Sequence, residues 1–263
     1  MKLIQRVSVF FITVLVAVFI VLKFSDYRFA EIARSYLATN LPAVFGGLQK
    51  LPLRPLAERL SEKGFALGQP VLIRIFKQEN TLEVWLDRSG KFDLALSYPI
   101  CAWSGELGPK VKEGDRQSPE GYYFISGRNL NPDSKYYRAI NVGFPNAYDQ
   151  ELNRTGSALM IHGSCLSAGC YAITDAPMDD VYNAVVSALA KGQKSIPLHI
   201  YPFRLTKENL ESHETNSWID FWRNLANGDA IFSATSRPPE VMACSGHYVF
   251  NGAANNCTKV LSW

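Results

Sequence analysis

One histidine and two cysteines lie within nine positions of one another in the segment MIHGSCLSAGCYAIT, residues 160–174, and small residues separate them. These side chains are His162, Cys165 and Cys170. Imidazole and thiol groups at such spacing can bind a metal ion, exchange a disulfide, or act as a nucleophile with its base. The segment is therefore where we look first for chemistry.

A metal site and a redox pair both fit this spacing poorly. A structural zinc site takes four ligands, and the segment supplies three. A fourth would have to come from the remaining histidines, which are His199, His213 and His247. The first falls in a predicted core strand and the other two in predicted surface positions, and no second paired cluster accompanies them. A redox dithiol usually has two residues between its cysteines, whereas four separate them here.

A cysteine nucleophile needs a base within hydrogen-bond reach and donors aimed at the developing oxyanion. His162 ends one predicted strand and Cys170 begins the next, so the short loop would bring them together as in a hairpin. We expect the imidazolium to lower the pKa of the thiol, and the carbonyl of Gly163 to orient the ring by accepting its second N–H. Gly163 also permits a tight turn, and the amides around Gly169, Cys170 and Tyr171 are candidates for the oxyanion hole.

Short strands are the main elements that must position this segment. Runs of β-branched and aromatic residues separated by polar turns predict a meander followed by further strands. The predicted strands are 71–76, 81–86, 92–98, 121–125, 138–142, 158–162, 170–174 and 198–201. One amphipathic helix is predicted from Asp175, as its N-cap, to Gly192, and a second contains Trp218, Phe221, Trp222 and Leu225 and ends near Gly228. The loop 104–121 is of a length that is usually functional or disordered.

Length and composition are consistent with a single main core. The chain has 263 residues, of which 47% are hydrophobic, and its formal net charge is +3. Lysines and arginines are scattered along it and form no basic stripe. A nucleic-acid partner is therefore not expected.

The N-terminus predicts export. Lys2 and Arg6 precede an uncharged run, 7–22, that Lys23 closes, and no small-x-small cleavage site follows. We favour an uncleaved signal-anchor over a cleaved signal peptide for residues 1–23. Residues 24–69, which prolines interrupt, predict a helical membrane-proximal spacer whose helices could equally pack on the main domain.

Cysteine parity leaves one thiol unpaired. Five cysteines in an exported chain suggest two disulfides and one reactive cysteine. Cys244 and Cys257 flank a turn-rich segment and could clip the C-terminal tail into a hairpin. Of Cys101, Cys165 and Cys170, two would then form the second disulfide and one would remain a free thiol.

At this point the sequence resembles a known family. The pattern H-G-x-C-x-S-x-G-C at 162–170 resembles the catalytic segment of the YkuD-type L,D-transpeptidases, and it is similar to their YafK-like branch. Further segments also resemble that branch, namely 108–121, 141–149 and 200–204. The resemblance spans about residues 70–225. It implies a catalytic domain at 70–205, followed by a helical extension with a cysteine-containing tail at 206–263.

The resemblance implies a mainly β fold with a few peripheral helices, of the α+β class, and a cysteine acyltransferase that needs no metal or organic cofactor. Cys170 would attack the diaminopimelate carbonyl of a peptidoglycan stem peptide, with His162 as base and then acid. The thioester would pass to an amine, or to water in a carboxypeptidase or amidase. Relatives in this branch are associated with releasing lipoprotein from the wall. The implied location is the periplasm of a Gram-negative bacterium, with residues 7–22 in the inner membrane.

Two positions depart from the family pattern, and several others are weaker predictions. Ala168 stands where a second histidine is usual, and Ala172 where an arginine is often found, so recognition of the donor must differ. Ser167 keeps its family position and is expected to position the cysteine loop. Candidate contacts to the stem peptide are Lys110, Asp115, Arg128 and Tyr148. The alternative for the first three is a solvated loop residue.

Cys165 then needs a role, and Cys101 is its expected partner. Cys101 ends the third predicted strand just before the loop that should border the site. A bridge between them would brace the catalytic segment while leaving Cys170 free; two buried, reduced cysteines are the alternative. A competing function of another class is a non-catalytic, wall-binding or zinc-stabilised module.

Overall fold

The computed structural model describes residues 54–252 and 256–261. The predicted signal-anchor and the spacer up to residue 53 lie outside these ranges. Within the described ranges, no helix is both long and apolar enough to cross a membrane.

Twelve strands and five α-helices form the described part of the chain. The strands are β1 (Val71–Phe76), β2 (Thr81–Arg88), β3 (Lys91–Pro99), β4 (Gly121–Ile125), β5 (Leu130–Ser134), β6 (Tyr137–Asn141), β7 (Met160–His162), β8 (Tyr171–Ala172), β9 (Ile196–Tyr201), β10 (Val241–Cys244), β11 (His247–Phe250) and β12 (Thr258–Lys259). The helices are α1 (Leu56–Ser61), α2 (Ala147–Glu151), α3 (Asp175–Ala190), α4 (Lys207–Ser212) and α5 (Ile219–Thr235).

A five-stranded sheet with the order β3-β2-β1-β9-β4 forms the first part of the fold. The expected meander is present, because β1, β2 and β3 pair antiparallel in sequence order. β9 then inserts between β1 and β4, parallel to β1 and antiparallel to β4. Every residue of β1 and β9 is buried, which explains why both strands are almost continuously apolar.

A second sheet with the order β5-β6-β7-β8 carries the histidine-cysteine segment. α3 follows β8 and packs on β6, β7 and β1, so it joins the two sheets. The predicted N-cap of α3 is wrong. Thr174 occupies that position without a side-chain cap, and Asp175 instead accepts the backbone N–H of Ser164 at 2.7 Å.

An aromatic core joins the C-terminal elements to the first sheet. α5 and the three-stranded sheet β11-β10-β12 pack around side chains from β4 and β9. The largest members of this cluster are Trp222, Tyr122, Tyr201, Phe203, Tyr148 and Tyr248. α5 does not end near Gly228 as predicted. A β-carbon there would lie 2.5 Å from the ring of Phe250, so the glycine serves close packing.

The described end of the spacer segment packs on the domain. Leu60 of α1 is fully buried, and Arg59 forms an ion pair with Asp180 of α3 at 2.6 Å. Lys63 donates to the carbonyl of Ala95 in β3 at 2.9 Å. Apolar and polar contacts therefore hold residues 56–63 against the domain, with polar contacts to α3 and β3.

Candidate active site

His162 and Cys170 lie on neighbouring strands, but those strands do not form the expected hairpin. β7 and β8 pair in parallel, with Ile161 opposite Tyr171 and His162 opposite Ala172. Cys170 is therefore level with Met160, two residues from the level of His162. Because side chains alternate along strands, both groups lie on the same face, offset by about 7 Å along the strand direction.

The imidazole of His162 is held in one orientation. Its Nδ1 lies 2.5 Å from the carbonyl oxygen of Gly163, and a carbonyl can only accept, so Nδ1 carries the proton and Nε2 is left as the base. The ring is buried, and the ring of Tyr136 stacks on it. Burial lowers the pKa of His162, while the Gly163 hydrogen bond opposes that shift. The neutral imidazole is thus favoured at rest.

Cys170 is the free cysteine of the described chain. Its thiol points to the carbonyl oxygen of Ala158 at 3.7 Å, and the part of the chain that the structure describes holds no hydrogen bond between Cys170 and His162. Burial raises the pKa of the Cys170 thiol. Both pKa shifts favour the neutral partners over the expected resting ion pair of thiolate and imidazolium.

Gly163 is needed for close packing rather than for a turn. The left-handed residue after the histidine is Ser164, with φ of 60°. A β-carbon on Gly163 would lie 2.5 Å from a carboxylate oxygen of Asp175, 2.8 Å from Cβ of Tyr137 and 3.1 Å from the carbonyl oxygen of Tyr136. The missing side chain lets the turn between β5 and β6 rest directly on the catalytic segment.

Three serines hold the backbone around Cys170. Ser167 and Ser118 both donate to its carbonyl oxygen, at 2.8 and 2.9 Å, and Ser104 lies 3.2 Å from the hydroxyl of Ser167. The backbone N–H of Gly169 donates to Ser104 Oγ at 2.6 Å. Gly169 is therefore wrong as an oxyanion donor in this conformation, because its amide is already engaged.

The remaining oxyanion candidates are the amides of Cys170 and Tyr171. Tyr171 lies in β8, whose backbone pairs with β7. Cys170 precedes the strand and lines the pocket, so its amide is the stronger of the two candidates. Gly169 keeps a backbone role, since its φ of +121° favours glycine and a β-carbon would meet Leu159 at 2.9 Å.

Two disulfides account for the other four cysteines. One joins Cys101 to Cys165 and the other joins Cys244 to Cys257. With its sulfur bonded to Cys101, Cys165 can neither ligate zinc nor exchange with Cys170 as a free thiol. Within the described residues, no group of three or more histidine, cysteine, aspartate or glutamate side chains is arranged to hold a metal ion.

A buried ion pair pins the long loop beside the site. Lys77 and Glu120 are both fully buried and lie 2.9 Å apart. Lys77 also donates to the carbonyl oxygens of Glu106, Gly108 and Ser118. Glu120 in turn accepts from the indole N–H of Trp222 in α5 at 2.9 Å. The loop 104–121 is therefore ordered, and it carries two of the three serines.

A pocket of about 590 Å³ contains both catalytic candidates. One wall is formed by the catalytic segment and the residues before it, and the other by β5 and the turn between β5 and β6. Its lining residues are Asn131, Asp133, Ser134, Lys135, Tyr136, Ala158, Met160, His162, Leu166, Ser167, Ala168 and Cys170.

The weaker substrate-binding candidates lie elsewhere. Lys110 is buried and forms an ion pair with Asp115, which also accepts three backbone N–H groups of its own loop. These contacts hold the pKa of Asp115 at about 2, against the effect of burial. Tyr148 stacks on Tyr248 in the aromatic core, and Arg128 lies exposed in a short 3-10 helix. None of the four lines the pocket.

Residues from distant segments also border the site, and the motif did not predict them. Ser104, Ser118, Asp133, Lys135 and Tyr136 all contact or face the site, yet none lies in the motif. Their only signal was position, since the two serines fall near the ends of the long loop. The other histidines are not at the site: His199 is buried in β9, His213 stacks on Phe203 and His247 is exposed.

Comparisons with known proteins agree on one family. A family model for the YkuD L,D-transpeptidase catalytic domain matches residues 70–200. The protein named "Putative L,D-transpeptidase YafK" in Escherichia coli K12 is 46% identical over 183 residues, covering 70% of this chain and 74% of its own. The same values hold for its namesake in strain O157:H7.

Solved structures of lower identity also match. The helical cell shape determining protein Pgp2 of Campylobacter jejuni is 22% identical with a TM-score of 0.42, and the match covers 68% of each chain. L,D-transpeptidase 1 of Mycobacterium tuberculosis is 13% identical with a TM-score of 0.29, covering 52% of this chain and 64% of that one.

Proposed function

The chain belongs to the L,D-transpeptidase catalytic-domain family, and we propose that it transfers acyl groups of peptidoglycan stem peptides through a thioester on Cys170. One observation carries the proposal. The free thiol and the imidazole with its Nε2 left as base line the same pocket, while the neighbouring cysteine is taken up in a disulfide.

Acylation begins from neutral partners. As the Cys170 sulfur attacks the carbonyl of the diaminopimelate at its L centre, the thiol proton passes to Nε2 of His162. We assign the amide of Cys170 as the donor to the oxyanion. The tetrahedral intermediate then collapses, the C–N bond breaks, and the leaving amine takes the proton from His162.

Gly163 stabilises the imidazolium that forms between these steps. Its carbonyl accepts the Nδ1 proton, which is the role that a carboxylate plays in other triads. Ser167 acts on the other side of the nucleophile by fixing the carbonyl of Cys170. We assign both as positioning residues.

Deacylation needs an acceptor with a free electron pair. An amine of a second stem peptide, deprotonated by His162, forms the new amide and releases the thiol. Water in its place would give hydrolysis by the same intermediate, including release of a wall-linked lipoprotein. The transfer outcome is proposed here because it is the activity after which the family is named.

The proposed location is the periplasm, with the segment 7–22 as an inner-membrane anchor. Two disulfides in the described chain support an oxidising compartment, since disulfides persist outside the cytoplasm. Peptidoglycan stem peptides are exposed in that compartment.

The test uses the full-length protein and its Cys170→Ala variant with defined tetrapeptide muropeptides and with protein-linked muropeptides. Mass spectra would show cross-linked products for transfer, and shortened stems or released protein for hydrolysis. We expect cross-linked products from the wild type alone. Equal activity in the Cys170→Ala variant, or no product from the wild type, would contradict the proposal.

A further inference from the structure

Formal charge in the pocket is confined to one wall. Of the lining residues, the wall around the nucleophile contributes neutral side chains, and the other wall contributes Asp133 and Lys135. Position 172, two residues after the nucleophile, holds a buried alanine whose backbone pairs with Ala102. A charged substrate group in this pocket must therefore find its counter-charge at the end of β5 or on the turn that follows it.

Asp133 and Lys135 are not committed to each other or to other ion pairs. In the described part of the chain, neither takes part in a salt bridge or a side-chain hydrogen bond, and both are exposed. Lys135 Nζ lies 5.0 Å from the ring centre of Tyr136, a contact that still leaves its three donors available. Asp133 and Lys135 carry opposite charges and lie two residues apart, so they could bind a ligand that has both a positive and a negative group.

The end of β5 and the turn after it, which bear Asp133 and Lys135, are fixed relative to the catalytic segment. Tyr136 stacks on His162, and Tyr137 donates its hydroxyl proton to Asp179 of α3 at 2.7 Å. The backbone of Tyr136 and the side chain of Tyr137 also rest on Gly163. The charged pair is therefore held at a defined distance from the base.

We propose that Asp133 and Lys135 determine specificity by binding the zwitterionic head at the end of the diaminopimelate side chain, Asp133 its ammonium and Lys135 its carboxylate. This inference rests on the proposed function. Four C–C bonds separate the two α-carbons of diaminopimelate and span about 5 Å when extended. The imidazole and the Lys135 ammonium each lie 5.0 Å from the ring centre of Tyr136, so they are at most about 10 Å apart. The span between the α-carbons, the terminal carboxyl group and its hydrogen bond to the ammonium together also reach about 10 Å.

The two charges make separable predictions. Removal of the Lys135 charge should abolish the preference for a free carboxylate on the side chain and leave the preference for a free ammonium intact. Removal of the Asp133 charge should do the reverse. A merely structural effect of either substitution would change both preferences together.

The experiment uses the full-length protein and three peptides that differ only at the third residue, which is diaminopimelate, its side-chain amide, or its side-chain N-acetyl derivative. The rate of first-product release reports acylation alone, so the acceptor does not enter. Variants are Lys135→Met and Asp133→Asn, and matched controls are Lys91→Met and Asp93→Asn on the exposed part of β3.

We expect the wild type to favour diaminopimelate over each derivative by about tenfold in kcat/KM, as suits one charge-assisted contact each. In Lys135→Met, the ratio of kcat/KM for diaminopimelate to kcat/KM for the amide should fall close to one, chiefly through KM. In Asp133→Asn, the corresponding ratio for the acetyl derivative should fall close to one. The control variants should behave as the wild type.

If the enzyme is active and depends on Cys170, but both variants keep the wild-type ratios of kcat/KM between diaminopimelate and its derivatives, this inference is overturned while the proposed function stands. A wild type inactive on all three peptides would contradict the proposed function and this inference with it. Loss of both preferences in each single variant would assign the turn a structural role only, and would also overturn the inference.

Discussion

The ring of Tyr136 stacks on the imidazole of His162, with centres 5.0 Å apart and planes inclined by 28°. Gly163 holds the same imidazole through Nδ1. A ring contact and a hydrogen bond thus fix both the plane and the tautomer of the base. The two contacts come from different parts of the chain, the β5–β6 turn and the residue next to the histidine.

Substitution of Tyr136 should make the orientation of the His162 imidazole less fixed. Tyr136→Ala removes the stacked ring and admits water to the imidazole, so we expect kcat to fall about tenfold and the pKa of His162 to rise towards its ordinary value. Tyr136→Phe keeps the ring and should retain most of the activity. The check is kcat as a function of pH for both variants. An alanine variant with unchanged kcat and pH profile would show that the stacking has no positioning role.

A side chain at position 163 should separate the turn from the catalytic segment. In Gly163→Ala the new β-carbon would meet Asp175, Tyr137 and Tyr136 within 3.1 Å. We expect a loss of about 1–3 kcal/mol in the free energy of unfolding, with reduced kcat/KM. Gly127→Ala is the matched control, because nothing lies within 4 Å of its new β-carbon. Equal unfolding midpoints for the two variants in denaturant titrations would refute this packing argument.

The Cys101–Cys165 bridge should stabilise the protein and the site together. It joins residues 64 positions apart, so Cys101→Ser/Cys165→Ser should lower the free energy of unfolding by about 4 kcal/mol. The shorter Cys244–Cys257 bridge serves as the control, with a separation of 13 and an expected loss of about 3 kcal/mol. Only the first double variant should also lose activity per folded molecule. The account of the bridge fails if the two double variants have the same specific activity.

The pH profile should reveal a neutral resting pair. Nε2 of His162 must be unprotonated to accept the thiol proton, and burial lowers the pKa of this imidazole. The fraction of active enzyme therefore falls only when the pH drops below that lowered pKa. We expect the acid limb of kcat/KM to have its midpoint below about 6.5, the ordinary value for histidine.

An acid limb centred above about 6.5 would contradict the neutral-pair mechanism. Such a midpoint would show an imidazole whose pKa is not lowered. The thiolate–imidazolium pair that the sequence alone suggested would instead give an acid limb at the depressed pKa of the thiol and an alkaline limb at the pKa of the imidazolium. Thermal unfolding across the same range is the control, because it separates loss of the folded state from protonation of the base.

Local patterns predicted local structure well. The first three strands were predicted almost to the residue because their runs of β-branched and aromatic side chains are bounded by polar turns. Short elements such as β5 and β8 lack such runs, and their bounds were missed or displaced. Parallel pairing of β7 with β8 could not be predicted, because proximity in sequence favours a hairpin and only the long-range packing of α3 and β6 selects the alternative.

The site shows the same division. Types and spacing within nine residues pointed to His162, Gly163 and Cys170, and the family resemblance added Ser167; the structure brings these together. The expected lowering of the thiol pKa left out burial, which raises it and depends on Tyr136 and on the chain around the pocket, neither of which the motif contains. Asp133 and Lys135 were invisible for the same reason, since the fold supplies them from another hairpin.

The central claim is that Cys170 carries the acyl group, and intact-protein mass spectrometry tests it most directly. The wild type, mixed briefly with a tetrapeptide stem and quenched in acid, should gain the mass of the acyl fragment. Peptide mapping should place the adduct on Cys170, and hydroxylamine should remove it as it does a thioester. His162→Gln should form the adduct far more slowly. An adduct on another residue would contradict the account. So would turnover that proceeds without any adduct and persists in Cys170→Ala.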